Sequence, residues 1–142
     1  MLLLFIPIIK NEMSETLGIR LKNPGNIRCY NARWKGLVGR EKGFCVFMDM
    51  RYGVRAMQIL IMRVYRERYK LVTPGAIIAK YAPPTENNTD GYIKQVKKIS
   101  GLDSFYKLHS DDDYFRLIKA MCWIESNYYL KREMFDEAKS LW

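Results

Sequence analysis

The feature that most constrains the fold of this chain is a helical repeat of apolar residues between Ser110 and Tyr129. Apolar side chains recur there at the three- and four-residue spacing of one helix face: Tyr114, Leu117, Ile118, Met121, Ile124 and Tyr128. Ser110 is a residue type that caps helices, and the three aspartates after it suit the positive end of the helix dipole. The sequence therefore predicts a long helix that is buried along one face.

Glu125 falls within this apolar stripe, four residues after Met121 and seven after Ile118. A carboxyl group packed among apolar side chains ionises less readily, so its pKa rises. A raised carboxyl pKa is what a general acid needs near neutral pH, which makes Glu125 a candidate catalytic residue. The other interpretation is that Glu125 lies at the edge of the stripe, where it reaches water or pairs with an arginine.

Composition and charge narrow the class of protein. The 142 residues are 49% hydrophobic and 27% charged, which is enough apolar material for one packed domain and excludes global disorder. A net charge of +9 favours a polyanionic partner such as nucleic acid, an anionic membrane face or an acidic cell wall. The basic residues are spread along the chain rather than gathered in a block, which weakens the nucleic-acid interpretation.

The cysteines and the single histidine leave little material for metal or triad chemistry. Cys29, Cys45 and Cys122 form no CxxC motif, and His109 has no neighbouring ligand motif. We therefore predict buried or free thiols in a reducing compartment, no metal site and no cofactor.

The N-terminal segment is predicted to be an appendage. Residues 1–9 are nearly all apolar, but they are too few to span a bilayer and lack the flanks of a signal peptide. We therefore expect no membrane span, synthesis in the cytoplasm without a clear signal peptide, an appendage at residues 1–12 and a single domain at residues 13–142.

The remaining pattern predicts a mainly α (α+β) fold. Asn23-Pro24-Gly25-Asn26 is a strong turn signal, and the short extended segments between Ile27 and Phe47 predict a small β-hairpin or three-stranded flap. Helical periodicity and capping residues predict four further helices, at Tyr52 to Tyr69, Thr73 to Tyr81, Thr89 to Gly101 and Lys131 to Trp142.

An ordered set of motifs resembles a known family. The motifs are Gly18-Ile19-Arg20, Asn23-Pro24-Gly25-Asn26-Ile27-Arg28, Trp34-x-Gly36, Phe44-x-x-Phe47, Gly53-x-Arg55-Ala56 and Tyr81-Ala82-Pro83-Pro84-x-Glu86-Asn87-x-Thr89-x-x-Tyr92. In this order they resemble phage and prophage virion-associated proteins related to murein-degrading, lysozyme-like enzymes, over residues 18–127. The resemblance implies a lysozyme-like fold and a location in the phage virion or the host cell envelope.

A looser similarity implies a catalytic role for Glu125. Glucosaminidases and lytic transglycosylases of the lysozyme superfamily place a Glu-Ser pair at a helix end, ahead of an Asn/Gly turn and a Trp/Gly segment. In this chain the turn comes first and Glu125-Ser126 comes last, which implies a circularly permuted lysozyme-like fold. Permutation is physically tolerable because the termini of compact domains often lie close together.

These similarities imply a peptidoglycan-degrading glycosidase, of the lytic transglycosylase or the muramidase/glucosaminidase type. Glu125 would give a proton to the leaving oxygen of a β-1,4 glycosidic bond, and Glu86 is the candidate for a second carboxylate that positions water or substrate. Glu86 could instead only cap a helix or hold its own loop. A single good acid favours transglycosylase chemistry, in which the substrate completes the reaction.

Several amide, aromatic and cationic side chains are candidates for binding the substrate, because such groups hydrogen-bond to and stack on sugars and meet peptide carboxylates. They are Asn23, Asn26, Arg28, Trp34, Tyr81, Asn87 and Tyr92. Each of them could equally serve only a turn or the core.

Two other functions stay open at this stage. The first is a non-catalytic virion structural or cell-wall-docking module that keeps a lysozyme-like fold. The second is a basic nucleic-acid-binding domain, which the lack of a basic block makes the weaker alternative. For the enzyme we expect a virion-associated monomer that acts on peptidoglycan glycan strands and binds no specific nucleic acid.

Overall fold

The computed structural model describes residues 15–31 and 33–142, so the predicted appendage at residues 1–12 lies outside the described residues. The elements run in the order α1 (Leu17–Arg20), β1 (Leu37–Glu41), β2 (Phe44–Phe47), α2 (Met50–Gln58), a π-helical segment (Ile59–Arg68), α3 (Pro74–Tyr81), α4 (Thr89–Ser100), α5 (Asp111–Ser126) and α6 (Arg132–Ser140). This mainly helical chain with one small antiparallel sheet confirms the predicted α+β class. None of the described helices is long and apolar enough to cross a membrane.

Helix α5 begins at the predicted cap. The Ser110 hydroxyl accepts a hydrogen bond from the Asp113 amide at 3.1 Å, and the Asp113 carboxylate accepts one from the Ser110 amide at 3.4 Å. Burial alone would raise the pKa of Asp113, but hydrogen bonds from the His109 and Ser110 amides hold it below its usual range. Along the predicted stripe, Leu117, Ile118 and other side chains of α5 are fully buried. The helix therefore forms the centre of the core.

The predicted helix at Tyr52 to Tyr69 is present but changes geometry halfway. Asp49 caps its start by accepting a hydrogen bond from the Arg51 amide at 2.9 Å. From Ile59 to Arg68 the helix is π-helical. Such segments are rare at this length and are often found at functional sites. The wider turn changes which side chains share a face, so a repeat of 3.6 residues does not describe this half.

The predicted flap is a two-stranded antiparallel hairpin of β1 and β2, irregular between Leu37 and Gly39. A bridge between Arg28 and Phe44 attaches the segment that follows the Asn-rich turn. The Cys29 amide donates to the Gly43 carbonyl at 2.8 Å, and the Cys45 amide donates to the Ile27 carbonyl at 3.0 Å. The turn and the hairpin are therefore one continuous wall.

Helices α3 and α4 begin close to where the sequence places them. Thr73 caps α3 as predicted, by accepting from the Ala76 amide at 3.3 Å. The cap of α4 is Asn88, whose side chain accepts from the Gly91 amide at 3.0 Å, and not Thr89 as predicted. Thr89 instead donates its hydroxyl to the Ala82 carbonyl at 2.6 Å, beyond the end of α3, so the tertiary contact moved the cap by one residue.

The C-terminal helix is held by a buried amide. Gln58 donates to the Phe135 carbonyl at 2.8 Å and accepts from the Trp142 indole at 3.0 Å. The Arg55 guanidinium donates to the Leu141 carbonyl at 3.0 Å. Because both ends of the Gln58 amide are satisfied, a polar side chain is buried in the core without an unpaired group.

The Asn-rich turn packs directly on α2 at Gly53. A Cβ atom built at Gly53 would lie 2.0 Å from the Lys22 carbonyl oxygen and 2.8 Å from Pro24 Cδ. Both neighbours are backbone or ring atoms, so neither moves aside easily. At Gly39 in β1 a Cβ atom meets nothing within 4 Å.

We expect Gly53→Ala to lower the free energy of unfolding by about 3 kcal/mol, because the methyl group forces the turn away from α2. Gly39→Ala is the matched control and is expected to change it by no more than about 0.5 kcal/mol. Urea denaturation of the three proteins measures both values. Equal stability of the two variants would contradict the close approach at Gly53.

Candidate active site

A cleft of about 450 Å³ lies between the turn-and-hairpin wall and a helical wall. Asn26, Arg28 and Trp34 line it on the first side. The helical side consists of the π-helical segment, the end of α3 and the loop that follows α3. The cleft has the size of ordinary small-ligand sites, so it is a concave surface that can hold a ligand.

Glu125 forms part of the floor of this cleft, in the last turn of α5. Only 7% of the residue is exposed. The side-chain amide of Asn26 donates to the Glu125 carboxylate oxygen Oε1 at 3.1 Å and to the Glu125 backbone carbonyl at 2.9 Å. One amide thus fixes both the carboxyl group and the end of the helix that carries it.

Burial raises the pKa of the Glu125 carboxyl group, because the charged form loses its hydration. The hydrogen bond from Asn26 and the nearby Tyr92 hydroxyl act in the opposite direction but do not cancel the effect of burial. The carboxyl group therefore keeps its proton to a higher pH than an exposed glutamate. An apolar stripe that includes an acid is the sequence signal for this state.

The turn presents Asn26 because a second asparagine folds it. The Asn23 side chain accepts from the Ile27 amide at 2.9 Å and donates to the carbonyls of Ile27 at 3.0 Å and Cys45 at 2.9 Å. Asn26 has a φ angle of 49°, a left-handed conformation that asparagine adopts more readily than most residues. Asn23 therefore shapes the turn and ties it to β2.

The turn is also tied to both neighbouring helices. The Tyr81 hydroxyl, at the end of α3, donates to the Gly25 carbonyl. The Ser126 hydroxyl, at the end of α5, donates to the Pro24 carbonyl at 2.8 Å. Burial, and secondarily the charge of Glu125, raise the pKa of Tyr81 well above its usual value, so Tyr81 remains a hydrogen-bond donor.

The structure brings most of the sequence-predicted site residues together in this one cleft. The lining includes seven of them: Glu125, Glu86, Asn26, Arg28, Trp34, Tyr81 and Asn87. Asn23 and Tyr92 are 0% and 2% exposed and are not among the lining residues in the described part of the chain. Their contacts are with the protein itself: Asn23 builds the turn, and Tyr92 lies behind Glu125.

Sequence reasoning missed lining residues on the helical wall. Leu60 and Tyr65 lie in the π-helical segment, which the sequence predicts only as part of one helix from Tyr52 to Tyr69. Lys80 precedes Tyr81 and holds its ammonium group 4.1 Å from the centre of the Tyr69 ring. A five-residue spacing such as that of Leu60 and Tyr65 gives no helical signal that a search for 3.6-residue periodicity detects.

This arrangement suits proton transfer to a bound ligand. Within residues 15–31 and 33–142 no cluster of three or more His, Cys, Asp or Glu side chains could hold a metal ion. The neutral form of Glu125 can donate a proton into the cleft, and aromatic and amide groups on the walls can stack on and bind a polar ligand.

These features define a small α+β domain that presents one buried carboxyl group to a cleft. Protein P5 of Pseudoalteromonas phage PM2 is 35% identical to this chain over 129 residues, covering 86% of this chain and 77% of the phage protein. The chain therefore belongs to the family of this phage protein, which confirms the phage part of the resemblance. No protein-family model matches the chain.

Removing the polar groups that stabilise the Glu125 carboxylate should raise the pKa of Glu125 further. We expect Asn26→Gly, which keeps the left-handed backbone accessible, and Tyr92→Phe each to raise the pKa of Glu125, because each removes a group that stabilises the carboxylate. The ¹³C NMR titration of the side-chain carboxyl carbon measures the value. Asn87→Ala, at a lining residue bonded to the Pro83 carbonyl, is the control without a shift. A lowered or unchanged pKa in Asn26→Gly would contradict the geometry.

The buried acid should also make stability depend on pH. Because the folded-state pKa of Glu125 is raised, its neutral form favours folding fully below about pH 4.3, and this contribution is lost as pH rises through the folded pKa. Glu125→Gln mimics the neutral form at every pH. The variant should therefore match wild type near pH 4 and exceed it in free energy of unfolding at pH 8. Guanidinium denaturation at both pH values tests this, and a variant less stable than wild type at pH 8 would refute it.

Proposed function

We propose that this protein is a glycosidase that cleaves the β-1,4 glycan strand of peptidoglycan, with Glu125 as the general acid. The observation that carries the proposal is a carboxyl group that is 7% exposed, has a pKa raised by burial and forms part of the floor of a cleft. Cleavage of a glycosidic bond requires protonation of the leaving oxygen, and a neutral carboxyl group can donate that proton.

The walls of the cleft suit a sugar chain. Trp34, Tyr65 and Tyr81 supply aromatic surface, and Asn26 and Asn87 supply amides close to it. Sugars are bound by this combination, because their apolar faces stack on rings while their hydroxyl and acetamido groups hydrogen-bond to amides. The net charge of +9 would hold the protein near an acidic cell wall, an attraction that weakens as salt rises.

The fold supports a permuted lysozyme-like arrangement. The helix that ends in Glu125-Ser126 meets the Asn-rich turn through Asn26 and through the Ser126 bond to Pro24. A Glu-Ser pair next to an Asn/Gly turn is the feature that the sequence shares with glucosaminidases and lytic transglycosylases. The relationship to a phage protein fits this proposal, because a phage must breach the wall of its host.

The role of the second carboxylate decides the reaction type. Glu86 is exposed and lines the same cleft, in the loop after α3. If Glu86 positions a water molecule, the products are hydrolytic and carry reducing ends. If the substrate itself completes the reaction, the products are anhydro sugars, and Glu86 has no chemical role.

Glu125→Gln should lower the release of soluble fragments from purified peptidoglycan by about 10²- to 10⁴-fold, the usual contribution of a general acid. The rate of wild type should fall as pH rises through the pKa of Glu125, because the donor must carry its proton, and this fall should come at a higher pH than for an ordinary glutamate. Turbidity clearing and mass analysis of the fragments measure both. Glu133→Gln, at an exposed acid of α6, is the control.

Product analysis of Glu86→Gln then separates the two chemistries. A hydrolase loses activity in this variant and yields reducing ends in wild type, whereas a transglycosylase retains activity and yields anhydro ends. Wild-type protein that binds the wall and releases no fragments would refute the glycosidase and leave a wall-docking module.

A further inference from the structure

Two cations line the cleft on opposite walls. Arg28 lies on the hairpin side, with its guanidinium carbon 4.8 Å from the centre of the Phe44 ring. Lys80 lies on the helical side, with its ammonium nitrogen 4.1 Å from the Tyr69 ring. Both side chains are therefore supported by aromatic rings at the rim of the site.

Neither cation forms an ion pair with a carboxylate in the described part of the chain. Some cations elsewhere on the surface do have such partners: Arg51 pairs with Asp49 at 2.9 Å, and Lys97 pairs with Asp103 at 2.8 Å. The charges of Arg28 and Lys80 are thus held in place by stacking and left available to a ligand. A cation that a ring already orients loses less freedom when it binds an anion.

Both cations line the same cleft as the candidate acid. At most about 7 Å of chain separates Arg28 from Asn26, which contacts the Glu125 carboxylate. Lys80 directly precedes Tyr81, which is bonded to the same turn. The cleft also contains the exposed carboxylate of Glu86, which would repel a uniform polyphosphate. The charges suit a ligand that is largely neutral and carries separate carboxylates.

We propose that Arg28 and Lys80 bind the free carboxylates of the peptide stems on the glycan strand, so that the cleft selects strands that carry stems over bare strands. This inference rests on the proposed function and adds the feature of the substrate that is recognised. Arg28 can form two parallel hydrogen bonds to one carboxylate, and Lys80 supplies a point charge on the other wall.

The test measures binding separately from turnover. In the Glu125→Gln background, dissociation constants are determined by calorimetry for a disaccharide-tetrapeptide, for the same fragment with its carboxyl groups converted to amides, and for the bare disaccharide. The free carboxylates are expected to tighten binding about tenfold. Adding Arg28→Gln and Lys80→Gln should bring the ratio between the free and amidated fragments close to one.

The control removes the same charge elsewhere. Arg63→Gln with Lys98→Gln deletes two exposed cations that do not line the cleft, one of them stacked 5.8 Å from the Trp142 ring. This pair is expected to keep the tenfold ratio. Loss of the ratio in the control would mean that overall charge, rather than Arg28 and Lys80, attracts the stems, and would overturn the inference.

The outcomes also separate the inference from the proposed function. Equal binding of free and amidated fragments, no binding of the free fragment, or displacement of it by a duplex DNA oligonucleotide at equal ionic strength would each overturn stem recognition. Activity of wild type on peptidoglycan would survive the first of these results. A tenfold ratio together with no release of fragments by wild type would support stem recognition and refute the glycosidase.

Discussion

The rest of the site depends on the two hydrogen bonds that the side-chain amide of Asn26 donates to Glu125. These two residues are 99 positions apart in the chain. A single side chain satisfies the last-turn carbonyl of α5 and fixes the direction of the carboxyl group. The same amide also stabilises the charged form of Glu125, so it lowers the pKa that burial raises. Orientation and acidity are thus set by the same interaction.

Much of the surrounding structure serves to hold that amide in place. Asn23 folds the turn from inside, Tyr81 and Ser126 bind its carbonyls from two helices, and Gly53 lets it lie directly on α2. Ionisation of the buried carboxyl group lowers the free energy of unfolding. The fold therefore accepts a less stable site in order to keep a protonated carboxyl group at the base of a cleft. A carboxyl group that keeps its proton in a cleft is what the proposed proton donor requires.

The charge pattern of the cleft follows from which groups the fold leaves unpaired. Several surface acids are paired with a base, as Asp49 is with Arg51. Arg28 and Lys80 are instead stacked on rings, and they line a cleft whose own acids are the buried Glu125 and the exposed Glu86. The proposed recognition of separate carboxylates needs this local arrangement, because the net positive charge of the surface alone would attract any polyanion.

Local signals in the sequence were sufficient for the class of fold and for the central residue. The capping box at Ser110, the apolar stripe and the Pro-Gly turn act within a few residues, so each could be predicted, and an acid within the stripe identified Glu125. The π-helical segment, the Asn88 cap, and the internal roles of Asn23 and Tyr92 could not be predicted, because each is decided by partners far along the chain. The sequence by itself determined where most of the helices form and that Glu125 falls within the apolar stripe of α5. Only the tertiary structure decided what surrounds that acid, because hydrogen bonds and packing between distant segments leave no periodic signal.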